Sequence, residues 1–381
     1  MTSYKSGDFD PAFGVNGRLD IRTPGNLFNL LSGITTDATG RLVIYGKYVR
    51  AGSPPAGRPG VARLTNEGTI DTRFGDQQDG LTTAPKRIEA QSAHEPAYMA
   101  DGSFFITASP SEQLPIVHYS EDGLFIKDWV LSEGQSISTP CLLATVDDKL
   151  LIASGAPKGG VIHRRNNDGS VDSNFGQNGK VDFLPDERYI VVLDMARSAV
   201  KERFYLAVTT STPAYILRVD TDGLPDNDFA DNGAYPIEMP GATVNFCNAV
   251  TELSSGKVLA LVTSGGAEGG PLRLFCLTHQ GRPDTTFNGG NPLLVPGDVG
   301  EAIAEQADGK ILVVHRGNII GQRLSRYLAS GLPDPDFGNN GTVTFTNEQM
   351  SFIKGVTLQP DGKIVVAGAW GSITTVFRLL P

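Results

Sequence analysis

Asp334-Pro335-Asp336-Phe337-Gly338-Asn339-Asn340-Gly341 is the stretch that decides the fold. It is one copy of a turn motif that returns along the whole chain. In its general form a glycine is followed three residues later by Asp and three after that by Phe, often then by Gly-x-x-Gly. The anchor positions are Phe13, Phe74, Trp129, Phe175, Phe229, Phe287 and Phe337, and the intervals between them are 61, 55, 46, 54, 58 and 50 residues. Regular recurrence at this length is the signature of a repeat architecture.

Each copy sits in a larger unit. A short alternating stretch follows the anchor, as in Gly341-Thr342-Val343-Thr344-Phe345. Next comes a segment ending in a tight polar turn, such as Asp308-Gly309 or Asp361-Gly362. An apolar run leaves that turn, as in Lys363-Ile364-Val365-Val366-Ala367, and a last strand-like stretch leads to the next motif. That makes four short strands per unit, bounded by Gly, Asp and Asn turns. The expected fold is all-β: a seven-bladed β-propeller of four-stranded antiparallel blades. The frame of the repeat also predicts its closure. The chain begins almost inside a motif and ends on a strand. A strand from about residues 13–22 therefore completes the C-terminal blade, whose other three strands come from about 350–381. Such a clasp removes two free sheet edges.

These residues resemble the bacterial delta-60 repeat. Asp-x-x-Phe-Gly-x-x-Gly followed by Asp-Gly-Lys-Ile-Val-Val-Ala-Gly matches best at Asp172–Gly179, Asp334–Gly341 and Asp361–Gly368. The resemblance covers essentially the whole chain. It implies a propeller and carries no shared catalytic residues. The Trp129 copy departs most, with Ile126 in the Asp position.

The chain has 381 residues, and the array leaves no segment long enough to fold alone, so one domain over 1–381 is expected. Gly contributes 45 residues, in keeping with a turn between almost every pair of strands. The net charge of −10 disfavours nucleic acid and anionic membrane surfaces, which call for a basic face. No apolar stretch is long enough to span a bilayer. The start, Met1 to Asp8, has no apolar core region. Cytoplasmic synthesis is the expectation, with export by a signal-less route still open. Cys141, Cys247 and Cys276 are scattered and read as free thiols.

An Arg stands eight residues before the motif Asp in most copies: Arg63 and Asp71, Arg164 and Asp172, Arg218 and Asp226, Arg326 and Asp334. Across the closure Arg378 meets Asp10. The Trp129 copy lacks both, with His118 and Ile126 in their places. At Asp284 the Arg position is Cys276, and Arg273 or Arg282 is the expected substitute. Guanidinium and carboxylate pair through parallel donors. One reading is a ring of ligand sites; the other is a structural pair that ties each strand to its following turn. Recurrence in nearly every blade favours the structural pair.

Other patterns are weaker. Asn166 to Asp172 and Asp220 to Asp226 space oxygens as calcium loops do, but neither supplies a glutamate at the twelfth position, so turn chemistry is the simpler reading. No cofactor is expected, with calcium or another divalent ion as the exception. None of the five histidines has metal-ligand spacing. Should the protein be an enzyme, His315, Glu305, Glu252 and Asp194 are the candidates for a channel-centred, metal-dependent lyase or lactonase. The longest connections, Arg50–Gly60 and Ala84–Pro96, offer Arg50, Arg58, Arg87 and His94 as binding candidates. Gly265–Gly270 reads as a flexible hairpin. The favoured expectation is a non-catalytic module presenting a propeller face to a protein or glycan partner. A structural part of a secreted or toxin-like assembly is a further alternative.

Overall fold

A computed structural model describes residues 4–21, 26–50, 57–88, 92–109, 114–131, 140–156, 158–187, 189–198, 202–210, 213–239, 241–265, 270–317, 321–371 and 373–381. Residues 51–56 and 266–269, within the long connection and the Gly-rich segment read from sequence, lie outside them. The fold is a seven-bladed β-propeller with four antiparallel strand positions per blade. Blade 1 runs Asn26–Thr36, Leu42–Arg50, Arg58–Leu64, Leu81–Thr83. Blade 2 runs Ser92–Ala93 with Ala97–Tyr98, then Phe104–Ser109, Leu114–Tyr119, Phe125–Leu131. Blade 3 holds Cys141–Ala144, Lys149–Gly155, Gly160–Asn166 and Lys180–Phe183; blade 4 holds Val191–Arg197, Phe204–Thr209, Ala214–Val219 and Ala234–Ile237. Blade 5 holds Val244–Glu252, Val258–Gly265, Leu272–Leu277 and Leu293–Val295; blade 6 holds Val299–Glu305, Ile311–Arg316, Gln322–Tyr327 and Thr342–Phe345. Blade 7 takes Phe352–Leu358, Ile364–Trp370 and Ile373–Leu379 from the end of the chain and Arg18–Ile21 from its start.

The clasp therefore forms as the repeat frame predicts. Arg18 pairs with Phe377 and Ile21 with Thr374, and Phe9 bridges to Leu379 ahead of the strand. Second strands such as Phe204–Thr209 are buried along their whole length. That is why they read as unbroken apolar runs rather than as alternating ones. Fourth strands are short, three or four residues in six blades, which limits the exposed edge. Blade 2 differs: its first strand is interrupted and its fourth runs seven residues.

Contacts group the chain into two compact units. One contains Met1–Ser111, Pro115–Asp128 and Ala304–Pro381; the other contains Glu112–Leu114 and Trp129–Ile303. Within the first, Phe13, Ile21, Leu42, Ile44, Val365 and Val376 share one core cluster. Within the second, Phe175, Phe204, Leu206 and Leu217 pack in one cluster and Phe229, Val250, Val258 and Leu277 in another. Side chains also seal blade to blade. Thr209 Oγ1 accepts from the Cys247 amide at 3.2 Å, and Gln322 Oε1 accepts from the Ile353 amide at 3.2 Å. Both amides sit beside β-bulges in first strands, where the ladder leaves donors to be satisfied elsewhere.

Candidate functional site

The repeated Arg–Asp pairs form in all five predicted copies. Arg Nε lies 3.0 Å from Asp in Arg63–Asp71, 2.8 Å in Arg164–Asp172, 2.7 Å in Arg218–Asp226, 2.8 Å in Arg326–Asp334 and 2.9 Å in Arg378–Asp10. The guanidinium also lies over the anchor ring of its own motif, 4.4 Å from Phe74, 4.8 Å from Phe229, 4.3 Å from Phe337 and 4.7 Å from Phe13. Its Nη1 reaches the next blade. It donates to the carbonyl of Glu121 at 2.6 Å from Arg63, of Thr221 at 2.5 Å from Arg164, of His279 at 2.6 Å from Arg218 and of Asn66 at 2.8 Å from Arg378. Four of the five thus hold a carboxylate, an aromatic face and a neighbouring backbone oxygen at once; Arg326 Nη1 instead donates to Gln306 Oε1 at 3.2 Å in its own blade. All five are buried, so their guanidiniums face the fold rather than solvent.

The anchor rings complete the joint. Phe13 packs against Gly68, Phe74 against Gly123, Phe175 against Gly223, Phe229 against Gly281 and Phe337 against Gly7. Each of these glycines opens the following copy of the motif. At Gly68, with φ at 82°, a Cβ would fall 2.2 Å from the Phe13 ring, so both backbone and space demand glycine there. Trp129 does the same for Gly169, although its motif has become a straight strand. Ile126 is exposed on that strand. His118, in the Arg position, stacks on Phe105 at 4.1 Å and bonds Ser103 at 3.1 Å.

A second cation, not foreseen from sequence, converges on the motif Asp. It comes from the residue just before the second strand: Lys310 on Asp334 at 3.4 Å, Lys363 on Asp10 at 3.4 Å, and Arg203 on Asp226. At Asp284, neither Arg273 nor Arg282 fills the place of the missing guanidinium. Lys257 does so, 2.6 Å from the carboxylate, while Cys276 Sγ stays at 4.0 Å. Lys257 can do this because the first-to-second strand turn lies beside the motif. Burial pushes the Asp10, Asp71, Asp284 and Asp334 carboxyls up, but backbone amides and these cations outweigh it and hold all four below the ordinary value.

The channel candidates are mostly engaged by neighbours. Asp194 accepts from the amides of Met195 and Val250, each at 2.9 Å. Glu252 accepts from Ser198 at 2.7 Å and Tyr205 at 3.0 Å. Glu305 ends the first strand of blade 6 and is partly buried. His315 is fully buried on a second strand, 2.9 Å from Ser325, which meets Thr342 at 3.0 Å. It reaches no open face, contrary to expectation, because second strands are covered on both sides. Among the described residues no three His, Cys, Asp or Glu side chains come together as metal ligands do. In the loop at Asp168, the carboxylate accepts from the Ser170 amide and hydroxyl at 2.8 and 2.6 Å, which is turn chemistry.

Of the loop candidates, Arg50 ends a strand and its side chain lies outside the described residues. Arg58 joins the two long connections, donating to the Ala84 carbonyl at 2.8 Å. Arg87 pairs with Asp128 and remains largely exposed. His94 is not on a protruding loop: it falls in the interruption of the first strand of blade 2, its amide 3.4 Å from the Thr107 carbonyl. Sequence missed the exposed aromatics Phe352, Trp370, Phe246 and Tyr189. All lie at the strand ends away from the motifs, and Tyr189 holds a left-handed φ of 58°.

A family model described as a domain of unknown function (DUF5122) beta-propeller matches residues 38–74 and 359–380. Those stretches contain Asp71 with Phe74 and the Asp361 turn with Arg378, so the match falls on the clamp. No curated protein matches the sequence. Among solved structures the chain is similar to the Dos1 propeller, with 13% identity and a TM-score of 0.52 over 92% of this chain and 78% of that one. At that identity the likeness speaks for the fold alone. A luciferin-regenerating enzyme superposes with 11% identity and a TM-score of 0.43 over 93% and 92% of the two chains. A nidogen/laminin complex does so with 15% identity and 0.36 over 66% and 77%.

Proposed function

We propose that this propeller, of the delta-60 type, is a non-catalytic module that presents one set of strand ends to a protein or glycan partner. The observation that carries this reading is the division of labour between the two ends of each blade. Motif ends spend their Arg, Asp and Phe on holding neighbouring blades. The opposite ends carry the long connections and exposed rings, Phe352 and Trp370 in the first unit and Tyr189 and Phe246 in the second. Exposed aromatics on a rigid scaffold supply contact area at low entropic cost. Asp194 and Glu252 are satisfied by neighbours and His315 is enclosed, which leaves the enzyme reading with little to act through. Binding needs no cofactor.

The test is a glycan array and a pull-down with chelator present, run on the native protein and on Phe352→Ala/Trp370→Ala and Tyr189→Ala/Phe246→Ala variants. Saturable binding that survives chelation and is lost in one of the variants, with unfolding unchanged, supports the module. Binding indifferent to both variants removes this surface from consideration.

A further inference from the structure

The sequence contains five Asn-Gly pairs: Asn16-Gly17, Asn178-Gly179, Asn232-Gly233, Asn288-Gly289 and Asn340-Gly341. All five follow an anchor Phe, and all five Asn are left-handed, with φ of 52°, 53°, 48°, 46° and 48°. Asn-Gly is the dipeptide most open to deamidation, because glycine leaves its own nitrogen unhindered. In the reaction the Gly nitrogen loses its proton to solvent base and attacks the Asn Cγ. Ammonia leaves and a succinimide closes. Water then opens the ring at either carbonyl, giving Asp or isoaspartate. An attacking nitrogen held in a backbone bond inside a packed turn is withheld from this chemistry.

Four of the five are held in that way. The amides of Gly17, Gly179, Gly233 and Gly341 donate to the carbonyls of Phe13, Phe175, Phe229 and Phe337 at 2.9, 2.8, 2.9 and 2.8 Å. These glycines are buried. They are also hemmed in: a Cβ would meet Phe9 at 2.6 Å, Val171 at 2.5 Å, the Arg218 carbonyl at 2.8 Å and Pro333 at 3.1 Å. The Asn288 copy differs on both counts. There the bond to the anchor carbonyl is made one residue later, by the Gly290 amide to Phe287 at 2.9 Å. Gly289 is exposed, and the nearest atom to a Cβ on it is Asn291 Nδ2 at 3.9 Å. One surface bond restrains the Asn288 side chain, from Nδ2 to the Asn291 carbonyl at 3.0 Å.

We infer that Asn288 is a modification site of the folded protein, converted through a succinimide with Gly289 to aspartate and isoaspartate, while the other four Asn-Gly pairs are protected by the fold. The product adds a negative charge just after an anchor ring. As isoaspartate it also lengthens the main chain ahead of the fourth strand of blade 5.

The folded protein is held at mildly alkaline pH and mapped by mass spectrometry with fragmentation that separates the two isomers, beside a sample in concentrated urea. Asn288 is expected to convert roughly tenfold faster than the other four when folded, since their opening must also break a buried backbone bond. In urea the five rates converge. Gly289→Ala slows conversion at Asn288. The inference is overturned if Asn288 reacts no faster than the others in the folded protein, or stays intact there while reacting in urea.

Discussion

Arg378 on the last strand reaches Asp10 near the start of the chain, Nε to Oδ2 at 2.9 Å with both side chains almost fully enclosed. The pair is one of five equivalents, yet it alone spans the termini. It therefore reports on closure. Arg378→Met leaves a buried carboxylate with only Lys363 beside it, and Asp10→Ala strands the guanidinium. Each is expected to cost about 3–5 kcal/mol in denaturant unfolding, because breaking a buried pair leaves a charge uncompensated. A loss below 1 kcal/mol, about what a surface pair contributes, would show that the clasp does not depend on it.

Deleting residues 1–21 removes more than a strand. Phe9 stacks on Phe377 at 4.9 Å, Gly7 seats against Phe337, and the Gly7 and Asp10 amides bond the carbonyls of Leu380 and Arg378 at 3.0 and 2.9 Å. The truncated chain exposes the edge of Ile373–Leu379, so a large fall in the unfolding midpoint and concentration-dependent aggregation are expected. An unfolding curve that overlays the full-length protein would refute the closure argument.

In blade 5 a lysine has taken over from the guanidinium. Lys257→Met should destabilise by about 2 kcal/mol or more, since Asp284 is left buried beside a thiol that cannot donate strongly. Cys276→Arg made in the Lys257→Met background is expected to recover most of that loss by rebuilding the clamp seen at Arg326. Equal stabilities of the single and double variants in urea would mean that the five clamps are not interchangeable.

What could be read from the residues follows from how local each feature is. The Gly-Asp-Phe spacing and the eight-residue step from Arg to Asp lie within one hairpin, so four of the pairs were legible, and the clasp with Arg378 and Asp10 followed from the frame of the repeat. Lys257, Lys310 and Lys363 reach the motif Asp across a strand pairing, which linear spacing does not reveal. A cation beginning the apolar run was the available signal. His315 was misplaced because a continuous apolar run has no alternation to say which way a side chain points. Trp129 kept its partner Gly169 although its turn became a strand, so anchor size mattered more than the surrounding motif. The exposed Phe352 and Trp370 carry no periodic signal, since nothing in the repeat requires them.

The acid limb of stability should fall in two stages. Burial, with a smaller push from Arg323, lowers His315 to about 4 against an ordinary value of 6.5. Burial likewise lowers His118 to about 4. A group depressed in the folded state supports folding above its unfolded value. That support is lost as pH falls, because the unfolded chain takes up a proton the folded one refuses. The histidine stage therefore runs from pH 6.5 down to about 4, with roughly 3 kcal/mol at most from His315. The second stage belongs to Asp10, Asp71, Asp284 and Asp334, all held below 3.8, and begins as pH drops past that value. His315→Gln keeps a polar group toward Ser325 and has no proton to gain. Urea unfolding across this range should show its first stage reduced by the His315 share and its second unchanged. His118 and His94, which burial also lowers to about 4, still contribute to the first. An undiminished slope between pH 6.5 and 4 in that variant would mean that His315 is already charged, or solvated, in the folded protein.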